Sequence, residues 1–254
     1  MIASPAVRLT DATAERGGRT IWSHGTFAVA SGSVVGVIGP NGSGKSTLLK
    51  MLLGLIVPAT GTVEVLGGVP RRGDRRIGYV PQHYAGTIGE AVRCRDLVEL
   101  AVTGSAFGLS KLTAEQRQRV DRAIAQVDAA DFATDRLSRI SGGQQQRVAI
   151  AQAIVDRPEL LLLDEPLANL DLRNQQDIVD VLGSLRSPEV TMFVVAHDLN
   201  PLLSILTGAV YLLDGHAHYG DIGEVVDEEL LTHLYGTDIR VIRTPQGDLF
   251  TRTA

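Results

Sequence analysis

Nine residues, "GPNGSGKST" (39–47), crowd three glycines, a lysine and two adjacent hydroxyls into one turn. Gly39, Gly42 and Gly44 carry no Cβ to block positive-φ turns, so the backbone through Pro40, Asn41 and Ser43 can wrap closely around a ligand. An apolar, strand-like run precedes it, "SVVGVIG" (33–39), and a helical run follows it, "STLLKMLLGL" (46–55). In that setting the freed amides and the helix N-terminus form an anion site. Lys45 adds a full charge for β- and γ-phosphates, while Ser46, with Thr47 beside it, offers a hydroxyl to Mg²⁺. A second stretch, "LLLLDE" (160–165), ends four leucines on two acids. Asp164 and Glu165 thus stand at the carboxyl end of a buried strand, where open α/β sheets gather ligands. The pair divides into Asp164 holding Mg²⁺, directly or through water, and Glu165 polarising an attacking water. Such assistance is typically worth about 10²–10⁴-fold. His197, beyond the apolar run of "VTMFVVAHD" (190–198), reads as a γ-phosphate contact, against the alternative of a structural histidine. Gln82, after "GYVP", reads as a contact to Mg²⁺ or the attacking water.

"RISGGQQQRV" (139–148) offers a second anion site. Ser141 is a good N-cap, Gly142 and Gly143 permit close approach, and a helix starting near Gln144 would aim its positive end outward. Val148, Ala151, Ala153 and Ile154 would form that helix's apolar face.

These residues need a scaffold, and the rest of the chain supplies one. The 254 residues are 44% hydrophobic, ample for a large core. Strand-like runs at 33–39, 61–67, 76–82, 160–166 and 190–198 alternate with helical ones, which predicts an α/β fold with a mostly parallel sheet. Residues 5–35 read as short strands turning at Gly17-Gly18 and Ser31-Gly32. The block 87–155 reads as an inserted helical lobe, with a capping box at Thr113 and Gln116 and an apolar row at Val120, Ile124 and Val127. The tail, 215–254, mixes strand and helix. The formal net charge of −5 argues against general nucleic-acid binding, and "RRGDRR" (71–76) reads as a solvated loop. The single Cys94 excludes an internal disulfide. No signal-like N-terminus and no membrane-spanning run are evident, so a membrane role would need another chain. "HAH" (216–218) supplies two ligands of the three or four a zinc site needs, and reads as a surface pair.

Taken together, the chain resembles the ATP-binding subunit of an ABC transporter, over most of its length and in the family's order. Gly39–Thr47 resembles the Walker A motif, Gln82 the Q-loop, Ser141–Gln144 the signature, Leu160–Glu165 Walker B, Asp171 the D-loop aspartate and His197 the switch histidine. The resemblance implies a P-loop NTPase (RecA-like) core with an N-terminal antiparallel β subdomain and an inserted helical subdomain. Its parts would run 1–86, 87–155, 156–214 and, as a C-terminal extension, 215–254, within one ATPase domain. It implies ATP and Mg²⁺ as ligands, with Ser46, Gln82 and Asp164 toward the metal, and ATP hydrolysis as the activity. It implies a homodimer or a pair with a paralogous ATPase, in which Ser141, Gly142, Gly143 and Gln144 face the partner's ATP. It further implies an integral membrane permease, an extracytoplasmic substrate-binding protein, no nucleic acid, and residence on the cytoplasmic face of the membrane. Ile140 stands where the family usually has leucine. The stretch expected to carry an adenine-stacking aromatic, 10–18, has none. That leaves Arg16, or Trp22 under a shifted alignment, to cover the base, and implies weaker affinity and looser base selectivity. "VAHDLNPLL" (195–203), "VYLLDG" (210–215), "LLTHLYG" (230–236) and "EPLANLD" (165–171) resemble the ATPases of zinc and manganese importers. Importers of iron-siderophore, haem or cobalamin, a non-transport ABC ATPase and an ATP-binding regulatory module stay open as alternatives. Residues 83–92 would border the permease groove, with Tyr84 and Ile88 as coupling positions.

Overall fold

The computed structural model describes residues 5–82, 92–104, 112–243 and 249–253. Tyr84 and Ile88 lie outside them. The chain divides into two compact units, Met1–Asp74 with Arg186–Ala254, and Arg75–Leu185.

The first unit opens with β1 (Val7–Arg16), β2 (Arg19–Val29), β3 (Val34–Ile38), α1 (Lys45–Leu52) and β4 (Thr60–Val65). Strands β1 and β2 form the expected hairpin across Gly17-Gly18, and β4 adds antiparallel to β1. After the second unit the chain returns as β7 (Thr191–Val195), β8 (Gly208–Leu213) and β9 (His216–Asp221). Strand β3 runs parallel between β7 and β8, while β9 turns back antiparallel on β8. An antiparallel ribbon therefore joins a parallel core through β2 and β9, as the family resemblance implies. All five residues of β3 and all five of β7 are buried, which suits strands covered on both faces. The unit closes with the short α6 (Ile222–Val225), α7 (Glu228–Tyr235) and an antiparallel hairpin of β10 (Ile239–Arg243) and β11 (Leu249–Thr253).

Helix α1 shows how local sequence sets a boundary. Gly54, at φ 67, follows the C-cap Leu53. The Leu55 amide donates to Lys50 O at 2.8 Å and the Gly54 amide to Met51 O at 3.0 Å. That pattern ends the helix in the left-handed turn glycine favours, so α1 stops at Leu52 with Gly54 as its stop.

The second unit holds β5 (Ile77–Val80), α2 (Cys94–Thr103), α3 (Ala114–Gln126), α4 (Gly142–Ile154), β6 (Leu160–Asp164) and α5 (Leu172–Ser184). Strands β5 and β6 pair in parallel from Ile77 opposite Leu160 to Val80 opposite Leu163. Thr113 caps α3 through the expected box with Gln116, and Val120, Ile124 and Val127 are buried. Two expectations for α4 are corrected. The helix begins at Gly142, not near Gln144, because Ser141 already caps it. Its buried face is Val148, Ala149, Ile150, Ala151 and Ile154, and Ala153 is only half-buried. Four consecutive buried residues, Val148 to Ala151, span most of the turn at 3.6 residues per turn, so α4 is buried on more than one face. Cys94 is buried and free, and burial raises its thiol above the usual range. No helix among the described residues is long and apolar enough to cross a membrane.

Candidate functional site

The glycine-rich turn sits at the carboxyl end of β3. Gly44, the N-cap of α1, has φ 98 and ψ 17, a left-handed conformation that glycine adopts without penalty. Space forbids a side chain there as well, since a Cβ would lie 2.7 Å from Ile21 Cγ2 and 2.8 Å from Trp22 Cδ1. Trp22 is fully buried directly against Gly44. It supports the loop from below, so it is not available to stack on a base; Arg16 is exposed at the end of β1. Gly42, at φ 83, opens onto space with nothing within 4 Å of a Cβ.

Lys45 is 7% exposed, and its Nζ donates to Gly39 O at 2.6 Å and Pro40 O at 3.0 Å. The ammonium is thus held against two carbonyls of the loop. Ser43 Oγ is buried with no hydrogen-bond partner among the described residues, a hydroxyl suited to a ligand oxygen. Ser46 is exposed on the first turn of α1, whereas Thr47 is buried. Register brings His197 to the same sheet edge. Val37 pairs with Val195, and the Ala196 amide donates to Val37 O at 3.2 Å, so Gly39 and His197 each lie two residues past that pair. His197 itself is exposed.

In the second unit the ends of β5 and β6 hold another cluster. Gln82 Nε2 donates to Glu165 Oε2 at 2.6 Å, a bond the sequence did not suggest. Glu165 has φ 53, a left-handed backbone that costs a non-glycine residue about 1–3 kcal/mol and concentrates at functional sites. Asp164 is 6% exposed and takes a hydrogen bond from the Tyr79 phenol. Burial, then the Asp164 charge and this bond, push the Tyr79 hydroxyl above the usual range, so it stays a donor. Sequence reading missed Tyr79. Its signal is a lone phenol in an otherwise apolar strand.

Ser141 starts α4 with a complete capping box. The Gln144 amide donates to Ser141 Oγ at 3.2 Å and the Ser141 amide to Gln144 Oε1 at 2.9 Å. Ser141 and Gly142 are exposed, but Gly143 is buried against α5. A Cβ on Gly143 would lie 2.4 Å from Asn174 Oδ1 and 2.8 Å from its Cγ. Asn174 is pinned by Asp171, the N-cap of α5: its amide donates to Oδ1 at 2.8 Å and its Nδ2 to Oδ2 at 2.9 Å. The backbone bond from Asn174 is also the first cause that holds the Asp171 carboxyl below its usual range. Two stretches 30 residues apart in the chain therefore meet at one amide group, a neighbour that sequence spacing gives no hint of (171 against 141).

A prediction follows for this contact. Gly143→Ala lowers ATP turnover about tenfold or more, since overpacking costs about 1–3 kcal/mol and pushes Asn174 off Asp171. Asn174→Gly in the same chain removes the obstructing amide and restores most of the loss. Steady-state ATPase assays on both variants check this. A double variant as slow as Gly143→Ala alone would show that Asn174 is not the obstacle.

"HAH" lies on one exposed face of β9, with His218 stacked on Tyr211 at 5.0 Å, and no metal-holding group of three or more ligands occurs among the described residues.

Residues 23–168 match the ABC transporter family. The zinc uptake system ATP-binding protein ZurA of Listeria monocytogenes is 36% identical over 76% of this chain and 78% of its own length. The zinc transport system ATP-binding protein TroB of Treponema pallidum is 33% identical over 96% of this chain and 91% of its own. The manganese transport system ATP-binding protein MntB of Halalkalibacterium halodurans is 33% identical over 82% and 83%. Among solved structures, an ABC transporter in an inward-facing conformation superposes with a TM-score of 0.84 at 26% identity, covering 99% of this chain and 97% of that one. A phosphate loop built as described, in a chain matched by this family across both units, leads to one assignment: the protein belongs to the ABC transporter family and is one of its ATP-hydrolysing subunits.

Proposed function

We propose that this subunit powers the import of a divalent transition metal ion, zinc or manganese, through a membrane permease fed by an extracytoplasmic binding protein. The observation that carries the cargo is the likeness to zinc and manganese transport ATP-binding proteins, which extends over as much as 96% of the chain. In this reading the subunit works at the cytoplasmic face of the membrane as one of a pair.

Lys45 and the amides of the loop bind the β- and γ-phosphates of ATP. Glu165, held in place by Gln82, polarises the attacking water, and His197 touches the γ-phosphate. Ser46, Asp164 and Gln82 supply oxygen donors of the kind Mg²⁺ takes when it binds through few protein ligands and substrate phosphates. The Tyr79 phenol donates to Asp164 and so helps orient that carboxylate. When bound, the ion would neutralise charge on the phosphates. Ser141, Gly142 and Gly143 present the start of α4 to the ATP of the partner subunit. Hydrogen bonds to a charged phosphate are worth about 1.5–3 kcal/mol each, so several can close a pair of subunits and hydrolysis can release it.

The test is the elemental content of cells carrying the wild-type gene or a Glu165→Gln copy. A selective fall in zinc or manganese in the variant is the expected result. A rise would indicate export, and an unchanged metal content under metal limitation would move the cargo to an organic or chelated compound.

A further inference from the structure

The side chain of Asn200 ties the C-terminal hairpin to the loop that bears His197. Asn200 Nδ2 donates to Thr251 O at 2.9 Å, and Asn200 Oδ1 accepts from the Thr251 amide at 2.6 Å and from Thr251 Oγ1 at 2.9 Å. One carboxamide thus pairs with both backbone groups of one residue, as a neighbouring strand would.

The register of the hairpin explains why those groups point outward. Thr251 lies opposite Val241 and Thr253 opposite Ile239. The amides of Val241 and Ile239 leave the hairpin toward α7, donating to Glu228 Oε1 and Thr232 Oγ1 at 2.9 Å each. In an antiparallel ladder both members of such a pair face away from each other. Helix α7 therefore closes the outer edge of β10, and Asn200 closes that of β11 at Thr251.

Asn200 is well anchored at its other end. Its amide donates to Asp198 Oδ1 at 2.9 Å, and Leu199 and Leu202 on either side are buried. Leu199 packs onto β3, where a Cβ on Gly36 would lie 2.9 Å from its Cδ2. His197 sits three residues before Asn200, in the same short span.

We propose that Asn200 is a positioning residue for His197, and that through it the hairpin 239–253 sets the rate of ATP turnover. This rests on the reading of His197 as a γ-phosphate contact. Three bonds leave the Asn200 side chain. Losing them removes one set of restraints on the span that carries the histidine, while the phosphate loop, built on β3 and α1, keeps its own contacts.

The experiment uses the full chain with Asn200→Ala, Asn200→Asp, Thr251→Val, His197→Ala and the Asn200→Ala/His197→Ala double variant. Each is assayed for ATP turnover and, by hydrogen exchange with mass spectrometry, for protection of residues 249–253. Asn200→Ala should lower kcat roughly five- to twentyfold with little change in KM for ATP, and should speed exchange at Thr251. Asn200→Asp, which keeps the acceptor and loses the donor, should fall between it and wild type, and Thr251→Val, which removes one bond of three, should fall least. In the His197→Ala background Asn200→Ala should add less than about twofold, because residues acting as a unit do not add.

A multiplicative loss in the double variant would overturn the proposal in favour of general loosening. So would an unchanged kcat in Asn200→Ala when His197→Ala is impaired. If His197→Ala itself turned over at the wild-type rate, the reading of the histidine would fail, and the inference with it.

Discussion

Glu165→Gln leaves ATP binding near wild type and lowers kcat for hydrolysis by about 10²–10⁴-fold, the span typical of a positioned general base. The substitution keeps size and shape. A side-chain carbonyl at 165 still accepts from Gln82 Nε2, so the 2.6 Å bond that orients the residue survives. What disappears is the basicity toward water. The backbone makes the test sharper. At φ 53 the main chain aims the side chain from a conformation few residues occupy, and glutamine keeps it. Single-turnover and steady-state assays, with nucleotide binding measured on the same preparation, separate chemistry from binding. A loss of less than about fivefold would move the water-activating role to another residue.

Lys45→Ala is expected to weaken ATP binding by about 10²-fold or more, because two charge-assisted bonds of about 1.5–3 kcal/mol are lost together. The lysine is almost wholly buried at 7% exposure, with its Nζ on Gly39 O and Pro40 O. The variant loses charge in the cradle and also the clamp that shapes it. Titration calorimetry in the Glu165→Gln background, where turnover does not interfere, gives the affinity directly. A melting temperature near the parent's would assign the loss to the ligand and not to the fold. Affinity within threefold of the parent would contradict the phosphate role of Lys45.

The parts of the site carried by local chain were legible in the sequence. The phosphate loop needs only consecutive residues and a strand and helix on either side. The capping box at Thr113 and the N-cap at Ser141 are also local, each within four residues of chain, and both form. The acid pair after four leucines shows its place because an all-buried strand leaves its polar end at the sheet edge. What stayed hidden depends on pairing between distant residues. Gln82 and Glu165 meet because β5 and β6 are in parallel register, and a one-residue slip would part them. Gly143 looked like a residue kept small for a phosphate, yet its immediate neighbour is Asn174 of α5. Trp22 looked available to a base, but the ribbon of β1 and β2 turns its ring inward beneath Gly44. The tail gave least, since the bonds of Asn200 to Thr251 span 51 residues.

The seat of Trp22 has a spectroscopic consequence. It is the one tryptophan in the sequence, its ring is out of reach of solvent, and its Nε1 and Cδ1 border the glycine that caps α1. Emission excited beyond the absorption of the five tyrosines is therefore emission from beneath the phosphate loop. Its maximum should lie well to the blue of free indole and resist quenching by acrylamide. A change in intensity on adding nucleotide would report a rearrangement around Gly44, with no label attached.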